Sequence, residues 1–302
     1  MPRDFGRHDR DFPPRRPGRG SFPRRPAQGP QPGRPRRPPG PPPPARAEGW
    51  DHVASWYDKL VGEEGSDYHR HVILPAALRM LAVGPGERVL DLCCGQGVFC
   101  RHLAQTPAAD ICGVDASRQL IAAARQHGGD ARIRYVVADA RRLSDEPTSR
   151  PLQAAFDATA CLMAVQDVDD LAGLFRSLAW VLRPGGRAVI IMMHPCFRVP
   201  RQSGWGWDEE KKTQYRRIDR YASPMNVPIA THPGGSGGEY TVFHHRPLAQ
   251  YVDALAAAGL AVVGCEELMS HHVSEPGGRS RGENRARDEI PLFLALKVEK
   301  IR

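Results

Sequence analysis

Three aspartates, Asp91, Asp115 and Asp139, stand at or just beyond short apolar runs in the middle of this 302-residue chain. A carboxylate accepts two hydrogen bonds from a cis-diol, or one or more from an exocyclic amine, and Asn or Ser offers fewer acceptor sites for either task. The first belongs to Arg88-Val-Leu-Asp-Leu-Cys-Cys-Gly-Gln-Gly97, where Gly95 and Gly97 follow an apolar run and precede a helical pattern. A buried strand ending in such a turn leaves backbone N–H groups bare at a helix start, where a small polar ligand can approach the main chain. Taken singly, each feature also fits a packing corner, a helix N-cap or a solvated loop carboxylate. Asp115, eighteen residues past Gly97, lies near the place where a second-strand acid meets ribose hydroxyls in nucleotide-binding units. The run is GxG without the third glycine of the dinucleotide fingerprint, which disfavours a reductase.

The elements that position these acids follow from periodicity. Trp50–Leu60 and Ser66–Leu81 read as helices, the second bent at Pro75. Strands are expected at 88–92, 111–114, 133–138, 156–163 and 187–193. Helices fall between them at 98–105, at 118–127 behind a Ser117 cap, and at 168–182 before Arg183-Pro-Gly-Gly186. This βαβα rhythm predicts an α/β fold, a doubly wound, mostly parallel seven-stranded Rossmann-like sheet whose last strand is antiparallel. Such a sheet lines its strand carboxyl ends along one rim, where ligands bind. After His194 the rhythm fails until a helix at 247–258. Strands at 260–265 and 290–298 then close the chain, joined by a polar loop from His271 to Glu289.

Charge divides the chain. Residues 1–48 hold twelve Arg, fifteen Pro, six Gly and four acids, whereas residues 49–302 balance thirty basic against thirty acidic side chains. The first segment therefore reads as a disordered Pro/Arg-rich tail, a solubilising arm or a weak tether to nucleic acid or an acidic partner, and 49–302 as the globular domain. Phe5, Phe12 and Phe22 among the arginines suit the tether. The seven Cys show no CxxC pair and no Cys/His spacing suited to zinc, so free buried thiols, no metal and a cytoplasmic address are expected. No apolar run reaches the length of a membrane span.

From Trp50 to Val298 the sequence resembles the class I S-adenosylmethionine-dependent methyltransferases, notably the group that includes the ubiquinone- and menaquinone-biosynthesis C-methyltransferases. Val-Leu-Asp-Leu-Cys-Cys-Gly-Gln-Gly (89–97) is similar to the family's first motif, Gly-Val-Asp-Ala-Ser (113–117) to the second and Ala-Asp-Ala (138–140) to the third. Phe-Asp-Ala (156–158) and Leu-Arg-Pro-Gly-Gly (182–186) resemble the surroundings of the fourth and fifth strands, and Trp-Tyr-Asp (56–58) the cofactor-covering element. Cys93 departs from the Gly or Ala of many members. The resemblance implies that Gly95 and Gly97 admit the methionyl end of S-adenosyl-L-methionine and that Asp91 helps hold its amino group. It further implies that Asp115 and Ala116 meet the ribose, that Asp139 and Ala140 meet the adenine, that the Cys161 carbonyl faces the ammonium, and that Tyr57 covers the site.

Methyl transfer is an in-line displacement that needs alignment, exclusion of water and, for a phenol, enol or protonated amine, removal of a proton. Candidate bases are His194, at the end of the fifth strand, and His244 and His245. Both of the latter can instead cap the next helix or bind metal, though no third ligand stands at useful spacing. Trp205, Trp207, Tyr215, Arg217 and Tyr221 form either an acceptor pocket or the small core of a lid within an insertion at 194–246. Three functions are consistent with these residues. They are a small-molecule methyltransferase, an RNA or protein methyltransferase recruited through the tail, and a non-catalytic cofactor-binding protein of the same fold.

Overall fold

The computed structural model describes residues 49–230 and 240–301, so the tail expected at 1–48 lies outside the described residues. A 3₁₀ turn at Asp51–Val53 leads into α1 (Ala54–Val61), and a π-helical segment at His69–Ile73 into α2 (Leu74–Leu81). The bend expected at Pro75 is thus a widened turn just before it. Proline has no N–H and its ring crowds the carbonyl four residues back, so the helix opens there.

Five strands then alternate with helices: β1 (Arg88–Leu92), α3 (Val98–Leu103), β2 (Asp110–Asp115), α4 (Arg118–Gln126), β3 (Ile133–Val137), β4 (Phe156–Leu162), α5 (Leu171–Val181) and β5 (Leu182–Met193). Two hairpins follow, β6 (Ser203–Asp208) with β7 (Thr213–Ile218), and β8 (Met225–Ala230) with β9 (Tyr240–His245). The chain ends with α6 (Leu248–Ala257), β10 (Leu260–Leu268), α7 (Ser280–Glu289) and β11 (Phe293–Lys300). The main sheet runs β10-β11-β5-β4-β1-β2-β3, parallel except that β11 lies antiparallel between β10 and β5. This is the expected doubly wound sheet with an antiparallel last strand.

Alternate side chains feed two cores, as the pleat requires. Leu90 and Ile190 pack on one face with Leu174, Phe175 and Leu178 of α5 and Leu255 of α6. Val89 and Val189 pack on the other with Leu74 and Leu81 of α2 and Phe99 of α3. Strand order reverses between β1 and β4, so the crevice at their carboxyl ends is the topological switch point where such sheets bind ligands. The register sets Asp91 beside Gly113 on one side and Ala160 on the other.

Three expectations need correction. β5 begins at Leu182 rather than 187, and Pro-Gly-Gly is absorbed as an irregularity where the β4–β5 register jumps from Phe156↔Leu182 to Ala158↔Arg187. The loop at 271–289 contains α7, which buries only Gly282 and Ala286 and so shows no apolar stripe in sequence. The irregular stretch after His194 holds two hairpins. Its alternation, Trp205 and Trp207 on one side of β6 and Tyr215 facing Gly206, was masked by glycines and charged residues.

Candidate active site

The turn after β1 is shaped by positive backbone angles at Cys93 (φ +63°), Gly95 (+55°) and Gly97 (+80°). Cys93 therefore holds a left-handed conformation that costs an L-residue roughly 1 kcal/mol, the physical reason a glycine suits this position. The space a side chain at Gly97 would fill is taken by the Tyr135 ring, whose carbons would lie 2.9 Å from an added Cβ. At Gly95 the neighbour is Tyr57 of α1, 3.3 Å away. Asp115 ties the turn to the next helix. Its Oδ2 accepts the Gly95 amide and its Oδ1 the Ser117 amide, both at 2.9 Å, while Ser117 caps α4 by accepting the Leu120 amide at 3.1 Å.

Acidity is concentrated around Tyr57. Burial pushes Asp91 up to about 7, with only the Cys100 thiol donating to its Oδ2 at 3.5 Å. Burial likewise pushes Asp167, in the 3₁₀ turn after β4, up to about 8, with Gln166 Nε2 donating at 3.2 Å. Tyr57 is raised by its own burial and by the carboxylates of Asp115, Asp167 and Asp91. Among the described residues no Lys, Arg or His pairs with Asp91 or Asp167. At the end of β3, burial raises Asp139 but the guanidinium fork of Arg141 outweighs it and lowers it. Arg141 Nη2 donates at 2.7 Å and Nε at 2.9 Å, and Nη1 also reaches Asp169 at 2.7 Å. Cys161, at the end of β4, is buried with its thiol against that of Cys93, and Ala140 is buried, whereas Ala116 is exposed.

A methyltransferase domain family matches residues 89–186. A solved S-adenosylmethionine-dependent methyltransferase from Mesorhizobium loti is similar over 74% of this chain and 96% of its own, at 32% identity and a TM-score of 0.57. The chain belongs to the S-adenosylmethionine-dependent methyltransferases. A 2-phytyl-1,4-naphtoquinone methyltransferase from Synechococcus elongatus is 33% identical over 48% of this chain and 61% of its own length. A ubiquinone biosynthesis O-methyltransferase from Xanthomonas campestris is 29% identical over 43% and 53%. The chain thus spans little more than half the length of these curated relatives.

The site fits the family's cofactor in charge and shape. Its sulfonium and its ammonium are cations, and two carboxylates recessed beside the turn lack a cationic partner. Asp115 retains acceptor capacity beyond the two amides it already takes.

Beyond the ends of β4 and β5 lies a cavity of about 520 Å³, walled by Met163, Met193, Ile73, Tyr68, Trp205 and Phe293 among others. Its polar lining includes His69, His272, Arg198 and Arg287. His69 Nδ1 meets Ser66 Oγ at 2.7 Å, and burial, with His102 nearby, lowers it to about 4, so the imidazole is neutral. Burial and the neighbouring Arg216 lower Arg198 to about 10, and its Nε is buried without a hydrogen-bond partner. Both guanidinium groups lie over the Trp205 ring, at 5.4 and 5.1 Å from its centroid. The described residues offer Arg198 no carboxylate.

The fold draws the other sequence candidates elsewhere. His194 is 2% exposed; its Nε2 donates to Glu267 at 2.9 Å and its Nδ1 accepts the Cys196 amide at 3.2 Å, so both nitrogens are engaged outside the cavity wall. His244 meets Asn226 at 2.8 Å on the β8–β9 hairpin, and buried His245 donates to the Tyr221 carbonyl at 2.7 Å. Tyr221 accepts the Leu248 amide at 2.9 Å and so steadies the start of α6. Trp207 packs on Arg279 and Gly282 of α7, Arg217 pairs with Asp219 at 2.9 Å, and Tyr215 is 47% exposed over Gly206. Of that set Trp205 alone reaches the cavity wall. His69, Arg198 and Asp167 escaped sequence reading because nothing in their local pattern marks them.

Proposed function

We propose that the chain methylates a small acceptor with a ring-sized apolar body and an acidic oxygen, such as a hydroxyaromatic or enol. The observation that carries this reading is the cavity at the ends of β4 and β5, largely apolar yet holding Arg198, whose Nε is buried with no hydrogen-bond partner. A buried cation without a partner favours an anionic guest, because the pair recovers desolvation that the cation alone has lost. The naphthoquinone and ubiquinone named for the relatives are ring compounds.

When bound, the cofactor supplies a methyl carbon already activated on a sulfonium. Asp91 and Asp167 balance its charge on the methionyl side, Asp115 takes the ribose hydroxyls, and Asp139 shares its carboxylate between Arg141 and the adenine amine. Tyr57 closes the site over Gly95. Arg198 lowers the acceptor's pKa, so that the ionised oxygen forms without a strong base. Neutral His69 accepts or donates one hydrogen bond to hold that oxygen in line, since a histidine near pKa 4 cannot keep a proton at neutral pH. On this reading residues 49–302 form the catalytic domain, the hairpins at 194–246 the acceptor-side insertion, and the seven free cysteines suit a reducing, cytoplasmic setting.

The test incubates the full chain with S-adenosylmethionine and a panel of phenols, enols and aryl acids alongside neutral analogues of equal size, and measures S-adenosylhomocysteine formed. Turnover restricted to acidic acceptors is expected, unchanged on removal of residues 1–48. Turnover only on RNA or protein, lost with the tail, would overturn the reading.

A further inference from the structure

Next to the cavity, on the far side of Tyr68, three side chains from two separate segments converge. Asp67, at the head of the π-helical segment, receives His271 Nε2 at 2.9 Å and His272 Nε2 at 3.0 Å on the same oxygen, Oδ2. All three ligand atoms lie within 4.8 Å of one another. At these separations the two ring nitrogens and the carboxylate oxygen are close enough to share one cation. Asp67 Oδ2 is buried with no hydrogen-bond partner.

The surroundings hold the set in place. His71 Nδ1 donates to the Asp67 carbonyl at 3.0 Å and stands 3.2 Å from Oδ1, fixing the carboxylate by its other oxygen. The His71 ring stacks on His271 at 4.5 Å and 20°, and His271 and His272 lie 4.3 Å apart. Tyr68 meets both rings edge-on at 5.2 Å, so their planes are set by packing. Oriented ligands with such support from behind are the usual construction of a metal site.

We propose that Asp67, His271 and His272 bind one divalent cation of the zinc class. Two imidazoles and a carboxylate suit such an ion and leave at least one position for water or another oxygen ligand. His272 also lines the cavity, so the ion would tie the helical segment at 66–81 to the loop after β10 at the cavity's edge. Sequence spacing could not reveal this set, because its two halves lie at opposite ends of the domain.

The test strips the full-length protein with chelator and titrates it with Zn(II) alone at pH 7.5 against a chromophoric chelator. One equivalent is expected, bound at least tenfold more weakly by Asp67→Asn, His271→Gln and His272→Gln, and unaltered in His102→Gln. Each variant's metal-free melting temperature should match the wild type, which separates lost ligands from lost folding. Co(II) should give a visible d–d band in the wild type that the His271→Gln/His272→Gln double variant lacks. Equal Zn(II) affinity in that double variant, or no stoichiometric site in the wild type, would overturn the proposal.

Discussion

The Asp115 carboxylate accepts the Gly95 amide at 2.9 Å, so the acid at the end of β2 holds the shape of the turn after β1. The residue proposed to meet the ribose is thereby also a brace for the backbone beneath it. Asp115→Ala is expected to weaken S-adenosylmethionine binding by about 1–3 kcal/mol and to lower thermal stability as well. Calorimetry showing unaltered affinity would remove Asp115 from the cofactor site.

Asp91 makes stability and binding pull in opposite directions. Its folded pKa, about 7, lies above the ordinary 3.8, so the folded state holds a proton that the unfolded state has released. Its contribution to stability is full below pH ~4 and falls as pH rises to about 7. Asp91→Asn should therefore raise the melting temperature of the cofactor-free protein at pH 8. The same change should weaken S-adenosylmethionine binding at least tenfold, about 1.4 kcal/mol. A melting temperature that drops at pH 8 would contradict this account of the buried acid.

The fold places His69 in the cavity wall and engages His194 elsewhere. His69→Gln is expected to lower turnover about tenfold or more while cofactor affinity holds, because His69 lines the cavity. His194→Ala should instead cost roughly 1–3 kcal/mol of stability, since Glu267 and the Cys196 amide both lose a buried partner. Turnover per folded molecule lost only in the His194 variant would return the catalytic assignment to His194.

Arg198→Met keeps the packing on Trp205 and removes the charge. An acidic acceptor should show a KM raised about ten- to a hundredfold, from loss of a charged hydrogen bond worth about 1.5–3 kcal/mol. Cofactor affinity measured by calorimetry should stay constant. An unchanged KM would show that the guanidinium does not face the acceptor.

Gly97→Ala forces a methyl group against the Tyr135 ring at 2.9 Å in a backbone conformation near φ +80°. A loss of about 2 kcal/mol or more in chemical denaturation is expected, partly relieved by Tyr135→Leu in the same chain. No relief would show that the backbone angle alone demands glycine.

Local pattern was enough for the sheet and the acid positions. Apolar runs of strand length, each closed by Asp or a glycine turn, fix the order of β1 to β5, and the carboxyl ends of parallel strands must share a rim. Asp91, Asp115 and Asp139 were legible for that reason, as were the Ser117 cap and the bend at Pro75. Tertiary structure decided what periodicity does not encode. Strands with glycines and charges on one face give no clear alternation, so the two hairpins stayed hidden, and α7 has no apolar stripe to betray it. His194 looked available in sequence and is engaged on both nitrogens in the fold. His69, Asp167 and Arg198 carry no local mark, and only the burial that shifts their proton affinities distinguishes them. Asp67 meets His271 and His272 solely because β10 returns the chain to the helix where it began. The glycine turn and its acids lie in contiguous motifs; the cavity beyond β4 and β5 is made by segments that only packing brings together.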